Sequence, residues 1–501
     1  MSDMRFTRRH FFYGTLLAGA VPAGGFGSTP SLKTLGYKSP GEKLNIASIG
    51  AGGKAASDIR SCAQTENIVA LCDVDDKQAA ATYKRFDKAT RYRDFRRMLD
   101  KEGKSIDAVI VTIPDFMHAT AATWCMERGK HVYVQKPLTR TIWEARWLAD
   151  AAAKYKVATQ MGNQGYSVEG TRQLAEMIWA GDIGNVTEVH AWTDRPMWPQ
   201  GLTAIPPESP VPATLDWDLW LGIAGTRPYT SGGEGYPTKY GDFYQPFNWR
   251  GFYDFGCGAL GDMACHILGA ANLALQLAAP VSVECIRKEG ASTFMFPKRS
   301  TIRFDFPARG SMPPVKVFWY DGCTETPKLA GVPEGEILGD LPDKPRPRDE
   351  DSENGQRRPE RSPYQGDVFT WTDFEAVRQQ PLPKPNGSLF VGDKGMITTG
   401  TYGDNTRFIP VEKMREYRFP APFLTRSPGH YRDWIRAAKG GEAACSNFSV
   451  AGPMTEWVLL GTIALRFEGK LEWDSARMRV TNNPEANKLL KPVFRKGWSL
   501  T

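Results

Sequence analysis

Several signatures are missing from this chain, and each absence removes a class of function. The eight cysteines (62, 72, 125, 257, 265, 285, 323 and 445) form no CxxC pair and no repeating spacing. Most sit inside apolar patterns, so they read as buried free thiols, with neither a disulfide framework nor a zinc site. The six histidines are scattered and make no HExxH-type motif, and no metal is expected. No block of Lys and Arg of the kind a nucleic-acid binder uses is present, and a net charge of +7 over 501 residues is modest, so nucleic acid is not an expected partner. Long apolar runs are missing too. The one near the N-terminus is short and rich in Gly and Ala, which makes a poor membrane span.

What is present is an ordinary globular composition, 41% hydrophobic and 24% charged. The length suggests two domains with large cores. Tryptophan is plentiful, with 15 copies, many of them between residues 190 and 255. Indole faces suit sugar rings and are equally good core material.

The first stretch, "TRRHFFYGTLLAGAVPAGG", begins with Arg8 and Arg9, followed by Phe11, Phe12 and the weakly apolar run. This order is that of a twin-arginine export signal. Residues 1–40 are therefore read as signal and linker, the partner as the twin-arginine machinery, and the destination as periplasmic or otherwise exported.

Residues 41–165 carry the clearest pattern. A short apolar strand ending at Ile49 leads into Gly50-Ala51-Gly52-Gly53-Lys54-Ala55 and then a helix pattern. This fits G-x-G-x-x-G/A. Gly50 serves the tight turn, Gly52 and Gly53 lie where a pyrophosphate meets the backbone, and Ala55 keeps helix and sheet close. A second strand, "NIVALCDVDD", reaches Asp73, placed to accept from an adenosine ribose and to repel a 2′-phosphate. NAD is thus favoured over NADP. The alternative role for Asp73 is a helix N-cap. Further strands ("IDAVIVTIP", "HVYV", "VATQMG") alternate with helices, which predicts a doubly wound parallel sheet. Functional groups then fall at the carboxyl ends of strands, where Pro114, His118, Gln135 and Lys136 lie.

From 166 to 501 the period changes. Strand-like runs at 186–193, 281–287, 301–306, 315–320 and 389–400 have few helices between them, which predicts a large, mostly antiparallel sheet. Residues 196–256 are loop-rich, read as a functional surface or lid. Residues 332–367, Pro-rich and densely charged, read as a solvated insertion. In "GALGDMACHILGAANLALQL", Asp262 and His266 lie four apart on one helix face among apolar neighbours. As an isolated pair they are also compatible with a structural hydrogen bond.

Taken together, "IGAGG", "CDVD", "VTIPDFMHA", "VYVQKPL", "GNQGY", "DWDLWLG" and "FNWRGFYDFGCGALGDMACHI" resemble the Gfo/Idh/MocA oxidoreductases, over roughly residues 43–480. The resemblance implies a Rossmann domain, a C-terminal α/β domain that covers the nicotinamide, and homo-oligomers. It also implies hydride transfer between NAD and a sugar, glycoside or polyol carbinol carbon. Lys136, Asp262 and His266 are then the catalytic set: His266 as base, Asp262 fixing its tautomer, and Lys136 donating to the reacting oxygen. It implies a cis bond before Pro137. Cofactor contacts fall to Gly50, Gly52, Gly53, Ala55, Asp73, Pro114, His118, Gln135 and Lys136. Asn163, Gln164, Asn248, Trp249, Arg250 and Asp254 are candidate sugar contacts. The chain departs from the family at Gln135, where Glu is common, at Phe116, where His is common, and at Gly269, where Asp is common. Two other readings stay open: a glycosidase that oxidises its sugar transiently with retained NAD, and a non-catalytic sugar-binding protein on the same fold.

Overall fold

Apolar, β-branched runs of four to six residues, each followed by an amphipathic helix, build the first half of the protein. In the computed structural model, which describes residues 41–233, 236, 241–290, 292–342 and 368–500, this half is a six-stranded parallel sheet. The export signal read at the N-terminus lies outside the described residues. In chain order the elements are β1 (Asn45–Ile49), α1 (Gly53–Cys62), β2 (Asn67–Cys72), α2 (Asp76–Arg85), β3 (Thr90–Tyr92), α3 (Phe95–Glu102), β4 (Ala108–Val111), α4 (His118–Glu127), β5 (His131–Val134), α5 (Ile142–Tyr155) and β6 (Thr159–Met161). The spatial order is β3-β2-β1-β4-β5-β6. It reverses direction between β1 and β4, so the loops after these two strands diverge there and open a crevice. Local chemistry sets the helix starts. Asp75 and Asp94 accept from the backbone amides of Lys77 and Arg96, and Thr141 with Glu144 forms a reciprocal capping box. The three-residue strand β3 has no apolar alternation, which is why the sequence shows only the helix after it.

The second half is a nine-stranded sheet in the order β13-β12-β11-β7-β10-β9-β8-β14-β15. Its members are α6 (Glu169–Ala180), β7 (Val186–Trp192), α7 (Trp217–Leu221), α8 (Gly258–Ile267), α9 (Gly269–Ala274), β8 (Ser282–Glu289), β9 (Arg299–Phe306), β10 (Val315–Asp321), α10 (Trp371–Val377), β11 (Gly387–Gly392), β12 (Gly395–Thr399), β13 (Arg407–Ile409), α11 (His430–Ala438), α12 (Phe448–Ala464), β14 (Lys470–Asp474) and β15 (Arg479–Val480). All neighbours are antiparallel except β7 and β10. The single helix pattern expected across 258–277 is broken at Leu268 into α8 and α9.

The boundary near residue 165 holds for the sheets and not for the cores. Tyr431, Trp434, Ile435 and Ala438 of α11 are buried in one core with Ile46, Ile59 and Ile110 of the first domain. Trp220, Tyr229, Tyr244 and Phe255, from the loop-rich stretch, share another with Val109, Phe116 and Val134. The stretch 196–256 is thus a packed shoulder on the first domain. Of the insertion at 332–367, residues 332–342 are described, and this part is not simply solvated. Leu338 is buried with Trp192, Leu389 and Ile409, and Asp340 accepts from the amide and hydroxyl of Thr401. No helix among the described residues is long and apolar enough to cross a membrane.

Candidate active site

Gly50 has φ +93°, and a Cβ there would lie 2.0 Å from the carbonyl oxygen of Thr112, so the turn between β1 and α1 tolerates no side chain. At Gly52 a Cβ would strike Gln78 of α2, so that glycine serves helix packing. Gly53, at φ +50°, faces open space. This is the side on which the start of α1 would take the pyrophosphate of a dinucleotide. The residues therefore fit such a group: a glycine turn, an open approach and a helix N-terminus whose cap supplies no side-chain bond. Ala55 is fully buried beneath. Pro114 follows β4 on the facing loop.

Asp73 is not the helix cap, a role taken by Asp75. Its Oδ2 accepts from the amides of Ala51 (2.8 Å) and Gly52 (3.1 Å), and its Oδ1 from Asp75. Burial raises its pKa, and these amides oppose the rise. The carboxylate thus braces the glycine turn from below the rim where a ribose would lie.

Two of the expected cofactor contacts are turned inward. The ring nitrogens of His118 lie 2.8 Å from the carbonyl oxygens of Pro137 and Ile113. The ring is fully buried, which lowers its pKa to about 4 against the pull of those carbonyls. His118 is a strut between the loops after β4 and β5. Gln135 donates through Nε2 to Asp58 Oδ2 (3.0 Å) and Tyr133 (3.3 Å), and its Oε1 accepts from the amide of Lys136. Asp58, wholly buried, also takes Lys54, Thr112 and Tyr431. Gln135 is therefore one arm of a buried polar network that includes Lys54 of the glycine turn and Tyr431 of α11. Its signal in the sequence, an amide between a strand and Lys-Pro, does not reveal which way it points.

Lys136 emerges from β5 with a cis bond to Pro137. Its ammonium lies 2.7 Å from both the carbonyl oxygen and Oδ1 of Asp262 on α8. Asp262 also faces Arg250 (Nε to Oδ1, 3.4 Å) and Arg195 (Nη1 to Oδ2, 3.6 Å). Burial raises the pKa of this carboxyl, but Lys136, Arg250 and Arg195 together hold it well below the usual carboxylate range. No ion pair within 4.0 Å joins Asp262 to His266 among the described residues. The tautomer-fixing role expected for Asp262 is thus replaced by an anchor for Lys136. The reason is competition: three cations outbid one neutral imidazole for a single carboxylate.

His266 lies one turn further along α8, with its ring edge-on to Tyr402 at 4.9 Å between centroids. Its buried Nδ1 has no hydrogen-bond partner among the described residues. Burial and then Lys136 push its pKa well below the ordinary imidazole value, with Lys54 adding to the effect. A neutral ring next to a lysine is the protonation state a proton acceptor requires.

Two members of this group were missed by sequence reasoning. Arg195 follows β7 with no motif around it. Asp115 lies inside the quoted "VTIPDFMHA", and burial drives its carboxyl up to about 7 despite Arg250 and Lys136. Among the sugar candidates, only Arg250 reaches this cluster. Asn163 is bound to Ser446 and the carbonyl of Cys265, Gln164 to Tyr133, and Trp249 to the carbonyl of Pro246. Asn248 donates to the carbonyl of Asp242 and leaves its buried Oδ1 without a partner. Asp254 is on the surface, paired with Arg227 at 2.5 Å.

A parallel sheet with a glycine turn at its switch point, and a second domain that lays a lysine-anchoring helix over it, define a two-domain α/β protein built around a dinucleotide-type turn. The chain belongs to the Gfo/Idh/MocA oxidoreductase family. Residues 44–163 match its NAD-binding Rossmann fold, and residues 179–293 match its C-terminal alpha/beta domain. Among curated proteins the chain is 28% identical over 185 residues to a glycosyl hydrolase family 109 protein of Solibacter usitatus, covering 34% of this chain and 41% of that one. It is 28% identical over 152 residues to the inositol 2-dehydrogenase of Salmonella typhimurium, covering 29% and 45%. The chain thus spans less than half the length of these relatives. Among solved structures, the WlbA dehydrogenase from Bordetella pertussis, in complex with NADH and UDP-GlcNAcA, superposes with a TM-score of 0.54 at 13% identity, covering 86% of this chain and 99% of that one. That likeness is one of fold.

Proposed function

We propose that the protein is an NAD-dependent oxidoreductase acting on a carbinol carbon of a sugar, glycoside or polyol. The observation that carries this reading is the pairing of Lys136, anchored on Asp262, with a neutral His266 one helical turn away. When bound, the nicotinamide supplies the hydride acceptor or donor. The chain supplies the rest. In the oxidising direction His266 takes the hydroxyl proton as the carbinol C–H leaves with its electron pair and the C–O bond becomes a carbonyl. Lys136 donates a hydrogen bond to that oxygen and stabilises its developing negative charge. Export by a twin-arginine signal and assembly into homo-oligomers belong to the same reading, supported by Arg8 and Arg9 with the apolar run behind them and by the family's habit.

The test is a screen of sugars, glycosides and inositols with the purified protein and NAD, followed by nicotinamide absorbance and product analysis. Formation of NADH with a keto-sugar is expected. Aglycone release without net NADH would instead establish the transient-oxidation glycosidase, and sugar binding without either product would leave a binding protein.

A further inference from the structure

The surroundings of Asp262 hold more positive charge than the carboxylates there absorb. Lys136, Arg195 and Arg250 converge within 4.0 Å of Asp262, one carboxylate for three cations. Lys136 takes the short contacts, at 2.7 Å, and leaves the two guanidiniums at 3.4 and 3.6 Å. Asp194 is the other carboxylate in reach of Arg195, at 3.7 Å, and it faces Lys384 more closely, at 3.3 Å. Burial drives the Asp115 carboxyl up to about 7, so near neutral pH it supplies only part of a negative charge.

The two arginines are also under-used as donors. Arg195 is three-quarters buried, yet its guanidinium makes no hydrogen bond to the described residues, and its buried Nε has only the 3.7 Å ion-pair contact to Asp194. Burying a donor without an acceptor is costly, so beside two other cations such a group can receive an acceptor from outside at little desolvation cost. Arg250 gives Nη1 to the carbonyl oxygen of Phe247. Its guanidinium lies over the rings of Phe247 at 4.1 Å and Trp249 at 4.3 Å, with Trp198 at 5.9 Å. Stacking of this kind fixes the plane of the fork before any ligand binds, which lowers the entropy cost of using it. A neutral sugar hydroxyl makes poor use of two charge-surplus forks, one of them fixed by stacking. A compact, planar oxyanion matches them.

We infer that the substrate is a sugar acid: a carbinol-bearing sugar whose carboxylate is received by Arg195 and Arg250 beside Asp262, while Lys136 and His266 address the carbinol. This rests on the dehydrogenase reading above and narrows its substrate class. Asp262 then has two tasks. It anchors Lys136, and it holds the two arginines in place until the substrate's carboxylate shares their charge.

The experiment compares matched pairs on the full-length protein, methyl glucuronide against methyl glucoside and methyl galacturonide against methyl galactoside. Turnover is read as kcat/KM for NAD reduction, and binding by calorimetry on the NADH-loaded protein. The acid member of at least one pair is expected to exceed its neutral partner by about ten- to a hundredfold in both measurements, the range for charge-assisted hydrogen bonds. Arg195→Met and Arg250→Lys are expected to shrink that ratio, with the loss appearing in KM for the acid. Should either variant fold poorly, the wild-type ratios and the wild-type affinities still decide. Equal or better handling of the neutral member in every pair would overturn the inference. Tighter binding of glucose 6-phosphate than of the uronates would overturn the carboxylate assignment. If no sugar reduces NAD, the dehydrogenase reading fails, and the calorimetric pairs still accept or reject the acid site independently.

Discussion

Lys136 of the first domain and Asp262 of the second meet through two contacts of 2.7 Å, one to the carboxylate and one to the backbone carbonyl of the same residue. The ammonium is thereby placed by the docking of the domains as much as by its own strand. Oδ1 of Asp262, shared with Arg250, sets the direction of Lys136, and the carbonyl keeps its grip where an anionic ligand competes with the carboxylate for the ammonium.

Replacing Lys136 by Met removes the donor to the reacting oxygen. Loss of a single such donor costs about 10²–10³ in kcat. The fold is expected to survive, because Arg195 and Arg250 remain to pair with Asp262. Nucleotide affinity, read by NADH fluorescence, is the control: a large fall in kcat with nearly unchanged NADH binding is expected, and undiminished turnover would remove Lys136 from the mechanism.

The pH profile reports on His266. In the proposed reaction its neutral form is the base, so activity is expected to fall as pH drops through its pKa in the folded protein. Burial and Lys136 both lower that value from 6.5, so the acid limb of kcat/KM for the free enzyme is expected below pH 6.5. In the Lys136→Met variant one of the depressing charges is gone, and the limb should move upward. Asp115 titrates at about 7, so the Asp115→Asn variant separates its contribution: a limb that persists there belongs to His266. In His266→Ala a fall of about 10²–10⁴ in turnover is expected.

Gln135→Glu tests the buried network. The new carboxylate would sit where an amide now donates to Asp58 at 3.0 Å, exchanging a hydrogen bond for like-charge repulsion in a buried setting. A loss of about 2–4 kcal/mol at neutral pH is expected. The sign with pH follows from linkage. The buried glutamate holds its proton more tightly folded than unfolded, so the penalty grows as pH rises above the ordinary carboxylate range and shrinks again in acid. Denaturant melts of both proteins across that range measure it, and a constant difference would refute the assignment.

Gly50→Ala should be severe. The added carbon meets the Thr112 carbonyl oxygen at 2.0 Å, with φ at +93°, so the turn must shift. A cost of at least about 2–4 kcal/mol is expected, together with weakened NAD binding. Gly53→Ala, whose Cβ would meet nothing within the protein but whose φ is +50°, should cost only the left-handed strain of about 1–2 kcal/mol, and be marked in nucleotide affinity. Thermal melts with and without NAD distinguish the two.

The nucleotide half was legible because its signals are local. The glycine turn, Asp73 and the strand–helix alternation are each read from short stretches of adjoining sequence. His118 and Gln135 show where locality stops helping. A histidine after a strand looks the same whether it faces a ligand or two backbone carbonyls. Arg195 was invisible because its partner, Asp262, lies far along the chain on another element. Asp262 itself was recognised with the wrong neighbour: helical spacing places His266 on its face, but spacing does not reveal that Lys136 and two arginines arrive from three other segments.

Helix α11 completes the core of the nucleotide domain with Tyr431, Trp434 and Ile435, although it lies more than two hundred and fifty residues beyond the last parallel strand (about half the chain). The ribosome must therefore release nearly all of this polypeptide before its first domain can seal its interior. A fragment cut after β6 would expose the apolar face of α1 that this helix covers. The two halves cannot be exchanged with those of a relative by a single crossover, because a swapped second half would bring a foreign helix to a surface shaped for this one. Inheritance of the two sites, nucleotide and substrate, is in this chain a joint event.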